Sequence, residues 1–236
     1  MYNIVITPCK ELRMKALESL KGKWKIAVLS TLVFMLFSGG FSLFSYFFEN
    51  TRYEGLMGIV IFVISGPLML GYYGFCIKLR RGEEVEVSDV FEGFKNFGSA
   101  FLLQLLMSIF VLLWTLLLII PGIIAGIRYS QAFLILYDNP GISPIDALRE
   151  SKKMMKGNKW KFFILSLSFI GWAILCAFTF GIGSLWLSPY IYVTMVVFYE
   201  TILTKDDTDG FYRQQPQNII NEETNNSKEL KHGFYE

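Results

Sequence analysis

Long uncharged apolar runs recur along this chain and leave few folds open to it. No charged residue occurs between Ile26 and Phe48, between Leu56 and Ile77, between Gly98 and Ile120, or between Phe162 and Phe180. Two further runs carry a single charge each: Gly122–Tyr137 holds Arg128, and Ile182–Leu203 holds Glu200 near its end. A hydrocarbon core of about 30 Å is crossed by roughly 20 helical residues. Backbone amides in hydrocarbon must be satisfied within their own segment, which a helix does. The expectation is an all-α polytopic membrane protein with about six spans, near 26–48, 56–77, 98–120, 122–137, 162–180 and 182–203. They pair as three hairpins. Pro121-Gly122 is the expected turn between the third and fourth spans, which makes 98–137 either two spans or a re-entrant segment.

Charge sets the expected orientation. Lys and Arg concentrate before the first span (Lys10 to Lys25), after the second (Arg80, Arg81, Lys95) and before the fifth (Arg149 to Lys161), with Arg52 alone on the other side. The basic side is the cytoplasmic one, so both termini are expected in the cytoplasm of a plasma-membrane protein. The tail after Leu203 has four cations against seven anions, so the rest of the chain is more basic than the formal net charge of +2 suggests. In a membrane chain that balance points to anionic lipid headgroups, not nucleic acid. A membrane-protein partner is also compatible with it. Residues 205–236 are polar and Asn/Gln/Glu-rich, the composition of a disordered tail.

A sequence repeat organises the basic segments. Lys21-Gly22-Lys23-Trp24-Lys25 returns as Lys156-Gly157-Asn158-Lys159-Trp160-Lys161, each directly before an apolar run, with an echo at Gly93–Phe97. Lys at headgroup level and Trp at the interface make such a collar an entry anchor. Each collar follows a stretch with helical apolar spacing: Leu12, Ala16, Leu17, Leu20; then Val87, Val90, Phe91, Phe94, Phe97; then Ile145, Leu148, Met155. Ser88 and Ser143-Pro144 are the expected helix starts. The unit is therefore an amphipathic cytoplasmic helix lying in the interface, apolar face toward lipid, followed by a helical hairpin.

From Asp138 to Tyr199 the chain resembles a bacterial family of integral membrane proteins, the domain of unknown function 975 family. The residues that carry the resemblance are Asp138-Asn-Pro140, Ala147–Lys152, Met155–Trp160, Leu167–Trp172, Gly181-Ile-Gly183, Leu185-Trp186, Pro189-Tyr190 and Phe198-Tyr199. Arg13 and Gly22-Lys-Trp24 are similar to the family's opening. The resemblance implies a multi-span bacterial membrane protein and brings no substrate or catalytic residue with it.

Arg128 is the strongest single candidate for function. A cation within a span costs about 2.5–3.5 kcal/mol on insertion scales. One reading is an intramembrane anion or lipid site formed by Arg128, Tyr129 and Gln104. The other is snorkelling, since roughly 10 Å of helix separates Arg128 from Pro121. Gln104, Ser108 and Thr115 share a helical face that suits either a polar path or interhelical hydrogen bonds. Asp138 is either an acidic partner for a cytoplasmic cation or part of an Asp-Asn-Pro-Gly turn, with turn chemistry the commoner use. Glu200 sits where Lys205 would serve as partner. Gly122 to Gly126 forms a GxxxG.

Histidine is confined to His232, and Cys9, Cys76 and Cys176 lie far apart. No zinc site, disulfide framework, phosphate loop or His-based active site is supported, and no cofactor is expected. The expectation is a non-enzymatic membrane protein acting on lipids or membrane partners, as an accessory, stress or antimicrobial-peptide protection factor. The rival is a small transporter or channel with Arg128 lining the route.

Overall fold

The computed structural model describes residues 8–38, 54–179 and 181–214, and every regular element among them is helical. In chain order these are α1 (Cys9–Leu20), α2 (Trp24–Ser38), α3 (Glu54–Arg81), a 3-10 helix (Val87–Asn96), α4 (Phe97–Leu117), α5 (Ile119–Tyr129), α6 (Ala132–Asp138), α7 (Pro144–Met154), α8 (Lys159–Phe178) and α9 (Ser184–Gln214). Among the described residues five stretches are long and apolar enough to cross a bilayer: Gly58–Arg81, Val87–Leu117, Ile119–Asp138, Lys159–Phe178 and Ser184–Thr204. They correspond to the second through sixth of the expected spans. Trp24–Ser38 is apolar but shorter, and the second half of the expected first span lies outside the described residues. In the Val87 and Lys159 stretches, the charges fall before the apolar runs that begin at Phe97 and Phe162. At the chain's far end α9 continues to Gln214, so the first part of the expected disordered tail is helical; residues 215–236 lie outside the described residues.

The core gathers on the lower half of α3. Leu68, Leu70, Tyr72, Phe75, Ile77 and Leu79 are all at most 1% exposed. Helices α1, α6 and α9 and the 3-10 helix cover them, which is why α3 reads as apolar on every side. The closest approach is made by two glycines. A Cβ on Gly71 would stand 2.0 Å from the Val90 carbonyl oxygen, and one on Gly93 would stand 2.0 Å from that of Pro67. Only bare backbone permits this crossing. Above it the Tyr72 hydroxyl pairs with Thr31 at 2.7 Å, and Phe34 stacks on the Tyr72 ring at 4.4 Å. This joins α2 to α3.

The amphipathic helices form, but they use their apolar faces differently from the expectation. Leu12, Ala16 and Leu20 are fully buried, packed inward within the protein core instead of facing lipid. A protein surface of complementary shape gains close packing that fluid lipid cannot match. Only Leu17 of that stripe stays exposed, at 43%. The middle helix is 3-10, with Val90 buried and Phe91, Phe94 and Phe97 left half-exposed. Its cap is Glu86, not Ser88. The Glu86 N–H donates to the Asp89 carboxylate at 2.8 Å, while the Ser88 hydroxyl donates to Glu86. The third helix starts as expected, with the Ser143 hydroxyl accepting from the Asp146 N–H and Pro144 in the first turn.

The α4–α5 turn is displaced from Pro121-Gly122 to Leu118, whose backbone is extended (φ −164°, ψ 145°). Pro121 falls within the first turn of α5, where its missing N–H costs nothing. Gly122 then packs on Thr115, which a Cβ would meet at 2.2 Å. Gly126 faces open space, so only one end of the GxxxG makes a close contact.

The two collars fold alike. Gly22 (φ 82°) and Gly157 (φ 89°) both take the left-handed conformation, ending one helix and re-aiming the chain into the next. The repeat seen in sequence is therefore also a local structural repeat.

Candidate functional site

Helix α7 carries its own segregation of charge. Ala147, Leu148, Ser151 and Met154 are buried on one face, which leaves Arg149, Lys152 and Lys153 on the other. Ser151 fixes where that face points. Its hydroxyl accepts the Gln131 N–H at 3.2 Å and donates to the Arg128 carbonyl at 2.8 Å. One side chain thus satisfies backbone groups at the break between α5 and α6, which would otherwise be orphaned. The same contact holds α7 beneath Arg128. After α7 the left-handed Gly157 turn brings Lys156 and Lys159 to the same place.

The result is a cavity of about 380 Å³ lined by Arg128, Arg149, Lys152, Lys153, Lys156 and Lys159. No carboxylate is among the lining residues. Arg149 pairs with Asp146, and Lys153 pairs with Glu150. Arg128, Lys152, Lys156 and Lys159 form no ion pair among the described residues. Burial and then the Arg128 and Lys152 charges hold the Lys159 ammonium below its ordinary range. A group of cations, four of them unpaired, around a hollow of this size has one evident complement, a multiply accepting anion such as phosphate.

A second polar cluster ties the lower helix ends together. Arg81 of α3 donates to the Asp138 carboxylate of α6 at 2.8 Å and lies 3.6 Å from Glu200 of α9. Arg80 stands 3.2 Å from Glu200. Asp138 is thus an acidic partner and not merely a turn former, because the α6–α7 turn delivers it to the basic end of α3. Among the described residues the partners of Glu200 are Arg80 and Arg81; the side chain of Lys205, the expected partner, lies outside them. Alongside, Lys78 holds both Asp89 (2.9 Å) and Glu92 (2.7 Å), and Glu92 also receives the Tyr137 hydroxyl at 3.2 Å. The Lys78 hydrogen bond, opposed by burial and aided by Lys95, keeps the Glu92 carboxyl below the usual carboxylate range. Each charged member faces an opposite charge, although the buried Arg80 Nε makes no hydrogen bond, which is the pattern of a brace between helices.

The residues singled out from sequence are distributed among several places. Arg128 lines the basic cavity, but Tyr129 and Gln104 do not. Tyr129 packs on Phe110 at 5.9 Å between ring centres, and Gln104 backs onto Gly66 of α3. Thr115 spends its hydroxyl on the Val111 carbonyl. Of the second collar, Lys156 lines the cavity, while Trp160 is 71% exposed and stacks on Phe163. In the first collar Lys21 and Lys25 are exposed and Lys23 donates to the Glu83 carbonyl at 2.9 Å. Pro140 is exposed in the α6–α7 turn, Pro189 is buried within α9, and Gly181 (φ 83°) turns the chain between α8 and α9. Trp172, Gly183, Trp186 and Tyr190 line a separate apolar groove together with Trp24.

Arg149, Lys152 and Lys153 were not read from sequence as a binding site, and Lys159 was read only as part of the collar. The spacing of three and four residues between Arg149, Lys152 and Lys153 along α7 was the available signal that these three share a face. Among the described residues no group of three or more His, Cys, Asp or Glu side chains is placed to hold a metal ion.

A family model described as "Protein of unknown function (DUF975)" matches residues 1–124 and 115–206. No curated protein and no solved structure is significantly similar to the chain.

Proposed function

The chain belongs to the DUF975 family of proteins of unknown function, and from that premise we propose that it is a non-enzymatic protein of the bacterial plasma membrane that binds the phosphate of anionic lipid headgroups. The convergence of six cations, with no lining acid, on the cavity at Arg128 carries this reading. Such a cavity has lasting affinity only for a ligand that brings several acceptor oxygens, and a headgroup phosphate is the most abundant one at a membrane surface. The basic loops support a cytoplasmic placement for the cavity and for both termini. Covering headgroups is the chemistry of an accessory or protection factor, which acts on the membrane itself and needs no catalytic constellation.

The test uses the full chain in nanodiscs of phosphatidylcholine with a small fraction of phosphatidylglycerol. Retention of each lipid is measured by native mass spectrometry. Each basic residue near an anionic surface contributes about 1 kcal/mol, so the Arg128→Gln/Lys152→Gln/Lys156→Gln/Lys159→Gln variant is expected to lose phosphatidylglycerol retention by about 100-fold or more at low salt. Unchanged retention refutes the reading. Solute uptake into proteoliposomes that Arg128→Gln abolishes would also refute it, in favour of a transport route.

A further inference from the structure

The residues that carried the family resemblance lie far apart in sequence, yet several of them line one groove. Trp24 of α2, Trp172 of α8, Gly183 of the α8–α9 turn, and Trp186 and Tyr190 of α9 surround a hollow of about 440 Å³, with Leu17 of α1 at one side. At roughly 30 Å³ for a water-sized group, it has room for about fifteen such groups, the scale of one acyl chain. Its glycine is part of the shape. A Cβ on Gly183 would meet the Cys176 sulfur at 2.8 Å.

The surroundings indicate the occupant. Trp172 and Trp186 are 55% and 50% exposed, and the neighbouring Ile174, Leu175, Phe178 and Ile182 are exposed by 54% to 80%. The flank is therefore one that faces hydrocarbon. None of the lining residues is charged. Arg13 of α1, half-buried and without an ion pair among the described residues, stands one helical turn before the lining residue Leu17, on the same helix face. An apolar slot of acyl dimensions with one unneutralised guanidinium beside it complements a single chain of a phospholipid whose phosphate is negatively charged.

We propose that the groove between α1, α2, α8 and α9 binds one acyl chain of an anionic phospholipid, with Arg13 holding the phosphate. This site is distinct from the basic cavity at Arg128, which shares no lining residue with it. The chain has five tryptophans. Three line the groove, so removing Trp114 and Trp160 leaves a fluorescence signal from the groove alone.

The experiment compares quenching of the Trp114→Phe/Trp160→Phe protein by phosphatidylglycerol and by phosphatidylcholine, each brominated on its acyl chains. One cation's preference for an anionic headgroup corresponds to about a five-fold higher relative association constant for phosphatidylglycerol. Arg13→Gln is expected to abolish that preference while Arg13→Lys keeps most of it. Lys152→Gln/Lys156→Gln is expected to leave it unchanged, which separates this site from the basic cavity. Equal quenching by both lipids, or a preference indifferent to Arg13→Gln, overturns the proposal. The untouched wild-type chain, measured beside the double Phe variant, must show the same order of lipids; the reverse order also overturns it.

Discussion

Gly71→Ala is a single added methyl group where two helix backbones cross in direct contact. The new Cβ would stand 2.0 Å from the Val90 oxygen and 2.7 Å from its carbonyl carbon, with the Gly93 nitrogen at 3.0 Å. All three are backbone atoms, so no rotamer change relieves the clash. Ordinary contact begins near 3.4 Å, so the 3-10 helix must withdraw from α3 by more than about 1 Å. A gap of that size forfeits a quarter to a half of each dispersion contact across it. Val90, fully buried at this crossing, represents about 1.5–3 kcal/mol of burial by itself, and overpacking of a dense core costs typically about 1–3 kcal/mol. Against this, Ala gains about 1 kcal/mol over Gly in a helix interior. The net expectation is a loss of about 2–3 kcal/mol, or about 4–12 °C in melting temperature for a chain of this size. Cys76, fully buried, supplies the readout. In a Cys9→Ser/Cys176→Ser background, a thiol-reactive dye reports unfolding of the full chain in mild detergent. Gly93→Ala should behave like Gly71→Ala. Gly98→Ala and Gly126→Ala, whose Cβ positions are open, should melt at or slightly above the parent. If Gly71→Ala melts with those controls, the crossing is not where the structure places it.

Other consequences follow from the polar contacts. Thr31→Val strands the buried Tyr72 hydroxyl and should cost about 1–3 kcal/mol in the same melt; Thr31→Val/Tyr72→Phe should recover most of it, and a single variant no worse than the double would remove the assigned pairing. Glu92 has a carboxyl held low in the folded state, so its contribution is present above the ordinary carboxylate range and disappears as pH falls through the folded value. The melting difference between wild type and Glu92→Gln should therefore be full at pH 7 and vanish in the acid limit; a difference that grows on acidification contradicts the assignment. Lys159, held low by burial and then by its cationic neighbours, should titrate at higher pH once phosphatidylglycerol occupies the cavity, read by the pH dependence of its reaction with an amine-specific label. Asp138→Asn keeps the turn chemistry but loses the charge opposite Arg81. A loss of about 1–2 kcal/mol is expected, since Arg81 is 41% exposed and partly screened, and no loss would return Asp138 to a turn role.

Much of the architecture is legible in the residues alone. Uncharged runs such as Phe162–Phe180 can be accommodated only as helices in hydrocarbon, and the Ser143-Pro144 cap has the same local chemistry in any context. The Lys-Gly collar likewise predicts its own turn, because Gly22 and Gly157 are the residues that can adopt left-handed backbone at low cost. These are local properties, governed by solvent and backbone sterics. The hairpin turn at Leu118 was not legible. Leu117, Leu118 and Ile119 look alike in sequence, and the packing of Gly122 on Thr115 selects the break.

Tertiary structure decided the rest, because sites are made from residues that sequence keeps apart. Helix α1 has the pattern of an interfacial helix, yet its stripe is buried because matching protein surfaces stand beside it. Arg128 was notable as a lone cation in an apolar run. Its neighbours come from α7 and α8, and Ser151 brings them there by bridging the α5–α6 break. Trp24 and Trp172 meet for the same reason. Sequence determined that this chain is a bundle of membrane helices, through forces that act residue by residue. Which cations share a cavity and which tryptophans share a groove depends on helix-to-helix packing, a many-body property that no single segment carries.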